Sequence, residues 1–303
     1  MIQKLGRRRT SLLLLLGLSV VSITFFLIGY VPQRPALHKG TWIWETPAIL
    51  THREEVLTFS VENEVTHIYL YVDRLKTKPK DYALFIREAA ELGIKVEALG
   101  GDPSWGWREK RHNIGEFIEW VASYNTNVNE NERFSAIHLD IEPYLLPEWK
   151  TDQALVTEEW LSNMEFAAQQ AERTGGLEVS VDLPFWVHKL EVPGYENYRV
   201  STWMLKRFET VVLMNYRDTA LGRDGIVSNA LPMAKEASTM KKSLIVGVEI
   251  APSSESMKTT FFEEGHEVME QELETAREHL KTYTGFQGVA VHGFPNWMDS
   301  YRK

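Results

Sequence analysis

The chain has 303 residues, of which 44% are hydrophobic and 25% are charged, and its formal net charge is −9. This is the composition of a globular protein with enough apolar material for one large core. The absence of cysteine excludes disulfides, thiolate catalysis and cysteine-ligated metal centres. The acidic balance argues against a nucleic-acid-binding protein, for which a basic surface is expected.

Residues 11–30 form an uncharged, strongly apolar run, SLLLLLGLSVVSITFFLIGY. A helix of this length just spans the hydrocarbon layer of a membrane. Arg7, Arg8 and Arg9 precede the run, and the positive-inside rule keeps that end in the cytoplasm. We therefore predict a cytoplasmic tail over residues 1–10, a single-pass signal anchor over residues 11–30, and the rest of the chain outside the cell. The alternative is a cleaved signal peptide and a secreted protein, although no small-residue cleavage site follows Tyr30.

Residues 31–39 are predicted to be a short linker, and β-branched or aromatic runs then alternate with segments of helical periodicity. The predicted strands cover residues 41–44, 66–72, 95–99, 136–141, 177–181, 210–215, 244–249 and 288–292, and clear helices cover residues 81–92, 157–173 and 265–283. Strands that alternate with helices pair in parallel through right-handed crossovers. Eight such units predict an α/β protein with a single closed (β/α)₈ barrel over residues 40–303. An open doubly wound sheet is the alternative, but no glycine-rich phosphate loop follows the first strand.

Active sites of such barrels lie at the carboxyl ends of the strands. Acids, histidines and aromatic residues occur there throughout this chain, and the candidates for substrate binding are Trp44, Asp73, Trp105, His138, Asp182, Trp186, Asn215, Asp218, His292 and Trp297. Carboxylates transfer protons, and the flat faces of indole rings stack on sugars. The set therefore favours a carbohydrate site, although each tryptophan taken alone is better explained by core packing.

The segment His138-Leu139-Asp140-Ile141-Glu142 carries the strongest candidates. Alternate residues of a strand share one face, so His138, Asp140 and Glu142 are predicted to face the barrel interior near its mouth. Two acids this close repel each other, which raises the pKa of one of them, as a general acid requires near neutral pH. The alternative is that one of these carboxylates is a helix cap or an ion-pair partner.

The same segment resembles a known family. Asp140-Ile141-Glu142-Pro143 is similar to the end of the D-x-x-D-x-D-x-E signature of glycoside hydrolase family 18, the chitinase-like barrels. Residues 212–216 and 244–248 resemble that family's sixth and seventh strands, and Trp297 lies near the place of its sugar-floor tryptophan. The chain departs from the pattern in two places. Ser135 and His138 replace the first two signature acids, and the sixth-strand Met-x-Tyr-Asp motif is Met214-Asn215-Tyr216-Arg217 here, with Asp218 one residue later.

Two mechanisms are compatible with these residues. The resemblance implies that Glu142 is the general acid, that Asp140 orients the substrate's acetamido group as the nucleophile, and that Tyr216 steadies the sugar ring. Retaining barrel glycosidases of another kind carry the acid/base after strand four and the nucleophile after strand seven. Glu142 and Glu249 occupy those positions, and this mechanism requires their carboxyl groups to be about 5 Å apart.

No metal or cofactor is predicted, because no histidine pair has the spacing of a zinc motif and no phosphate loop is present. The predicted function is that of an extracellular, membrane-anchored glycoside hydrolase that acts on or binds a cell-wall or matrix polysaccharide. A carbohydrate-binding barrel without catalysis is an alternative, which Ser135 and His138 favour. A barrel hydrolase of other chemistry, including metal-assisted hydrolysis, is a further alternative.

Overall fold

A computed structural model of the protein describes residues 37–302. The predicted cytoplasmic tail, the signal anchor and most of the predicted linker lie outside the described residues. Within residues 37–302, no helix is both long enough and apolar enough to cross a membrane.

Eight parallel strands close into one barrel, in the order in which they follow one another along the chain. They are β1 (His38–Ile43), β2 (His67–Tyr71), β3 (Lys95–Gly100), β4 (Ile137–Leu139), β5 (Val179–Pro184), β6 (Thr210–Met214), β7 (Ser243–Glu249) and β8 (Phe286–His292). The prediction of a single closed (β/α)₈ barrel is confirmed, and the alternative of an open sheet is wrong. The first strand begins at His38, within the predicted linker.

The α-helices lie between and after these strands. They are α1 (Ala48–Thr51), α2 (Arg53–Glu62), α3 (Pro79–Glu91), α4 (Arg111–Thr126), α5 (Gln153–Arg173), α6 (Val200–Leu205), α7 (Ile226–Met240), α8 (Gly265–Leu280) and α9 (Phe294–Ser300). The three helices predicted most clearly correspond to α3, α5 and α8. Short 3₁₀ turns follow two strands at the site, Pro143–Leu145 after β4 and Phe185–Lys189 after β5.

The barrel closes where β1 pairs with β8, with His38 opposite Gly288. Gly288 has a φ of +157°, and a Cβ atom there would lie 1.9 Å from the carbonyl oxygen of His38. The close approach of the two strands therefore requires glycine at this position.

The apolar core has two parts. The larger part lies between the outer face of the barrel and the helices. The smaller part fills the interior and consists of Trp42, Tyr69, Leu99, Val212, Ile245 and Ala290. Because side chains alternate along a strand, residues two positions further along the same strands also face the interior and lead to the barrel mouth.

Candidate functional site

A cavity of about 510 Å³ opens at the carboxyl ends of β4 to β7. Its walls come from the loops after these four strands, and they include the predicted site residues Glu142, Trp186, Tyr216 and Glu249. The barrel thus brings together one candidate from each of four strands at the end where (β/α)₈ barrels carry their active sites.

Asp140 and Glu142 have perturbed carboxyl groups. Burial raises the pKa of Asp140 well above its usual value, and the nearby Asp182 and Glu142 raise it further. Burial also raises the pKa of Glu142, an effect that a hydrogen bond from the Tyr144 hydroxyl opposes and that Asp182 reinforces. A carboxylic acid that retains its proton towards neutral pH is suited to act as a proton donor.

Two buried carboxylate oxygens next to the cavity, Oδ1 of Asp140 and Oδ1 of Asp182, have no hydrogen-bond partner among the described residues. An unsatisfied buried polar group costs about 1–3 kcal/mol. The backbone at Gly101 packs closely against the backbone of Asp140, since a Cβ atom on Gly101 would lie 1.7 Å from the Asp140 carbonyl oxygen. The backbone at Asp140 is therefore closely packed, and Oδ1 of Asp140 is a buried acceptor without a donor among the described residues.

Below the mouth, His138 lies between two carboxylates. Its Nε2 is 2.9 Å from Oδ2 of Asp182, and its Nδ1 is 3.3 Å from Oε2 of Glu97. Burial alone would lower the pKa of His138, but the two carboxylates raise it to about 10. His138 and Ser180 hold the pKa of Glu97 below its usual value, although burial raises it. The raised pKa favours the protonated form of His138 between the two buried carboxyl groups, and Trp42 donates a further hydrogen bond to Oδ2 of Asp182 at 2.9 Å.

Glu249, His292 and Trp44 form a hydrogen-bonded chain at the mouth. Oε2 of Glu249 lies 2.5 Å from Nδ1 of His292, and its Oε1 accepts hydrogen bonds from the backbone N–H groups of Ile250 and Ala251. Trp44 donates its indole N–H to Nε2 of His292 at 3.0 Å. An indole nitrogen only donates, so Nε2 accepts and the ring proton is on Nδ1. Burial lowers the pKa of His292 and the bond to Glu249 raises it, with a net increase. The Trp44 N–H opposes protonation of Nε2.

An aromatic group forms one wall of the cavity. Tyr144 and Trp186 meet edge to face with their ring centroids 5.2 Å apart, and Trp149 packs against both rings. Tyr144 and Trp186 line the cavity. Aromatic side chains at this place offer flat apolar surface next to Glu142, as expected for a site that binds sugar rings.

Three residues predicted to bind substrate are buried in other roles. His138 is fully buried and pairs with Glu97 and Asp182. Asn215 is also fully buried, and its amide donates a hydrogen bond to the Ile226 carbonyl. Trp297 is buried on the outer side of the barrel, where it packs edge to face on Phe59 at 5.2 Å. Each of these side chains is enclosed by protein away from the cavity, and their role in substrate binding stays a prediction.

Three other candidates also lie outside the cavity wall. Oδ1 of Asp73 accepts the backbone N–H groups of Leu75 and Lys76, so this carboxylate stabilises its own turn. Trp105 packs towards Phe117 with ring centroids 6.1 Å apart. Asp218 joins two loops through a hydrogen bond from its backbone N–H to the Lys258 carbonyl. In the structure these three residues therefore contact neighbouring parts of the protein and do not line the cavity.

The sequence analysis missed several residues of the site, namely Trp42, Tyr69, Glu97, Tyr144, Ser180 and Arg217. Glu97 is in the middle of β3, where the alternation between Val96 and Ala98 places it inside the barrel. Tyr69 stacks on His138 with ring centroids 3.9 Å apart, and its hydroxyl lies 2.7 Å from Nε2 of His38. The alternation along β2 and β3 is the one sequence pattern that could have identified these inward positions.

No protein-family profile matches the chain, and no curated protein sequence matches it. The structure is similar to that of a GH18 chitinase from Pseudoalteromonas aurantia, with 10% identity, 88% of this chain and 98% of that chain covered, and a TM-score of 0.58. It is also similar to a chitinase from Bacteroides thetaiotaomicron, with 11% identity, 87% and 94% covered, and a TM-score of 0.55. A plant class V chitinase mutant from Cycas revoluta in complex with (GlcNAc)₃ gives 13% identity, 88% and 97% covered, and a TM-score of 0.54.

At these identities the similarity establishes the fold. The chain has the (β/α)₈-barrel fold that these chitinases also have, and this is the fold that its sequence motifs predicted. Within residues 37–302, no three or more His, Asp or Glu side chains are grouped so that they would hold a metal ion.

Proposed function

We propose that the protein is a glycoside hydrolase that cleaves a polysaccharide containing N-acetylated sugars, with Glu142 as the general acid. The observation that carries the proposal is the pair Asp140 and Glu142. Both carboxyl groups have a raised pKa, and they occupy successive inward positions where β4 meets a cavity with an aromatic wall.

In the proposed reaction, Glu142 donates its proton to the glycosidic oxygen while the bond from that oxygen to the anomeric carbon breaks. The carbonyl oxygen of the substrate's acetamido group forms the new bond to the anomeric carbon. Oδ1 of Asp140, which is buried and has no partner within the described residues, accepts the acetamido N–H and aligns that attack. The Glu142 carboxylate then takes a proton from the water that releases the sugar.

The hydrogen bonds of Glu249 favour this mechanism over one in which Glu249 is the nucleophile. Oε1 is held by two backbone N–H groups, and Oε2 is held by His292. Both oxygens therefore already bind protein donors. We expect Asp140→Asn to reduce turnover more than Glu249→Gln does, and substrates that lack the acetamido group to remain intact.

The direct test is Glu142→Gln. The amide keeps the shape of the side chain and loses the transferable proton, so turnover should fall by about 10²–10⁴-fold or more while oligosaccharide binding remains. Hydrolysis of chitin-type and peptidoglycan-type oligosaccharides, and binding measured by calorimetry, check both parts. Glu148→Gln is the matched control, since Glu148 is an exposed carboxylate in the next turn of the same loop and should tolerate the change. Unchanged turnover in Glu142→Gln would refute the proposed role.

A carbohydrate-binding barrel without catalysis is the second candidate. The observation in its favour is His138, which replaces a signature acid and is bound between Glu97 and Asp182. This candidate requires that the unmodified protein binds oligosaccharides and hydrolyses none. The same assays therefore distinguish it from the enzyme.

We also propose that residues 11–30 anchor the barrel in the cell membrane with residues 37–302 on the extracellular side. The uncharged apolar run behind Arg7, Arg8 and Arg9 supports this topology. An enzyme held there would face cell-wall or matrix polysaccharide.

A further inference from the structure

Arg217 is the single basic residue among the described residues that line the cavity, whereas Glu142, Glu249 and Glu255 are acidic. It directly follows Tyr216 on the loop after β6. Its guanidinium carbon lies 4.7 Å from the centroid of the Phe185 ring, which also lines the cavity. A fixed positive charge is therefore part of the wall of an otherwise acidic cavity.

The guanidinium group of Arg217 uses few of its five N–H donors within the protein. Nη1 donates to the carbonyl oxygen of Tyr216 at 2.6 Å. Nε lies 3.1 Å from Oδ1 of Asp224, but the alignment does not satisfy hydrogen-bond geometry, and this buried Nε has no acceptor among the described residues. The Asp224 side chain is 68% exposed, so water weakens its pairing with Arg217. Donors of the guanidinium thus remain for a ligand.

On the basis of the proposed function, we propose that Arg217 binds a carboxylate on the substrate, so that the polysaccharide is an acidic glycan. The planar guanidinium matches a carboxylate with two parallel hydrogen bonds, which gives both affinity and orientation. The carboxylates of Glu249 and Glu255 in the cavity wall would otherwise repel an acidic glycan. Arg217 offsets that repulsion at one position and selects where the substrate carboxylate lies.

The position of Arg217 in the sequence supports a change in specificity. In the Met-x-Tyr-Asp motif that residues 214–217 resemble, the fourth position is an acid, and here it is Arg217. The residue next to Tyr216 is therefore basic, and the acid follows one residue later at Asp218. A neutral glycan gains nothing comparable from a guanidinium at this place, whereas a glycan with a carboxylate there gains a charge-assisted hydrogen bond.

Two sources of such a carboxylate differ in structure. One is a lactyl ether on an N-acetylated sugar, as in N-acetylmuramic acid, and the other is a uronic acid. The first places the carboxylate on a flexible substituent and the second fixes it on the sugar ring. A comparison of how tightly the two kinds of glycan bind shows which of them carries the carboxylate. Arg217 is the proposed binding partner in either case.

The experiment measures oligosaccharide binding to the Glu142→Gln protein, in which turnover is blocked, with and without Arg217→Ala. The probes are a tetrasaccharide of alternating N-acetylglucosamine and N-acetylmuramic acid, its methyl ester, a hyaluronan tetrasaccharide, and (GlcNAc)₄. We expect at least one free carboxylate glycan to bind about tenfold or more tightly than its neutral counterpart, and Arg217→Ala to remove that preference. Arg217→Gln is a second variant that keeps a polar side chain but removes the positive charge, and thermal unfolding of both variants verifies the fold.

Arg199→Ala is the matched control, because Arg199 forms an exposed ion pair with Glu191 and does not line the cavity. Equal binding of the free acid and its ester would overturn the proposal, and so would a preference that survives in both Arg217 variants. Hydrolysis of (GlcNAc)₄ that depends on Glu142, without any preference for a carboxylate, would leave the proposed glycosidase intact and refute the role of Arg217 alone.

Discussion

At the scale of single residues, three buried carboxyl groups in this barrel differ because their neighbours differ. Asp140 and Glu142 face other acids, so burial and repulsion both raise their pKa. Glu97 is equally enclosed, but His138 and Ser180 donate hydrogen bonds to it and lower its pKa. The surroundings thus separate two groups suited to carry a proton from one that stays an anion.

Tyr144 provides a test of this distinction. Its hydroxyl donates a hydrogen bond to Oε2 of Glu142, which stabilises the carboxylate and opposes the effect of burial on the pKa. Tyr144→Phe removes that donor and should raise the pKa of Glu142. A general acid works only while protonated, so activity is lost as pH rises through this pKa. The basic limb of the kcat profile should therefore move to higher pH, which steady-state kinetics would measure.

Tyr195→Phe is the control for that experiment, since Tyr195 is 65% exposed and lies outside the cavity wall. Its pH profile should match that of the unmodified protein. A basic limb that stays in place or moves to lower pH in Tyr144→Phe would contradict the assignment of Glu142 as the proton donor.

At the scale of elements, one residue connects three strands. His138 on β4 binds Glu97 on β3 and Asp182 on β5, and all three side chains are buried. Ser180, also on β5, donates to Glu97 at 2.6 Å. Since Asp140 is two residues beyond His138, this ion-paired layer supports the strand that carries the proposed catalytic acids.

His138→Leu should destabilise the fold by about 3–5 kcal/mol at pH 6, because it leaves two buried carboxylates without their cation. The pKa of His138 is about 10 in the folded protein, above the 6.5 of an ordinary histidine. Its contribution is therefore complete below pH 6.5 and is lost as pH rises through 10. Urea unfolding of both proteins across this range should show the difference between them shrinking with pH.

His52→Leu is the matched control, because His52 is exposed and pairs with Glu55 only at the surface. It should change the free energy of unfolding little at any pH. A difference between the unmodified protein and His138→Leu that is absent at pH 6, or equally large at pH 11, would show that His138 is not a buried cation.

The alternation of elements was predictable because the strands contain short runs of β-branched and other apolar residues, as in Val211, Val212 and Leu213 of β6. The start of β1 could not be predicted from the sequence. His38, Lys39 and Gly40 have little strand propensity and adopt the strand through pairing with β8. Asp140 and Glu142 were predicted as site residues through their spacing. The sequence could not show the surroundings of Trp297, because its place in the chain matches the family pattern while α9 turns the indole towards Phe59.

At the scale of the whole molecule, the proposed topology joins an anchor to a barrel whose closed sheet and core lie within residues 37–302. We expect the full chain to fractionate with membranes and to require detergent for extraction, because residues 11–30 are uncharged and apolar. Protease added to intact cells should reach the barrel. Size and amino-terminal sequencing of the extracted protein check the anchor, and a mature terminus between residues 30 and 40 would refute it.

The central claim is that Asp140 and Glu142 act on a bound sugar, and the structure of Glu142→Gln with an N-acetylated oligosaccharide tests it most directly. The account predicts that the acetamido N–H lies within hydrogen-bond distance of Oδ1 of Asp140 and that the glycosidic oxygen lies next to the residue 142 side chain. The sugar ring between them should contact Tyr216. An oligosaccharide bound elsewhere on the barrel, or bound in the cavity without contact to either residue, would contradict the account.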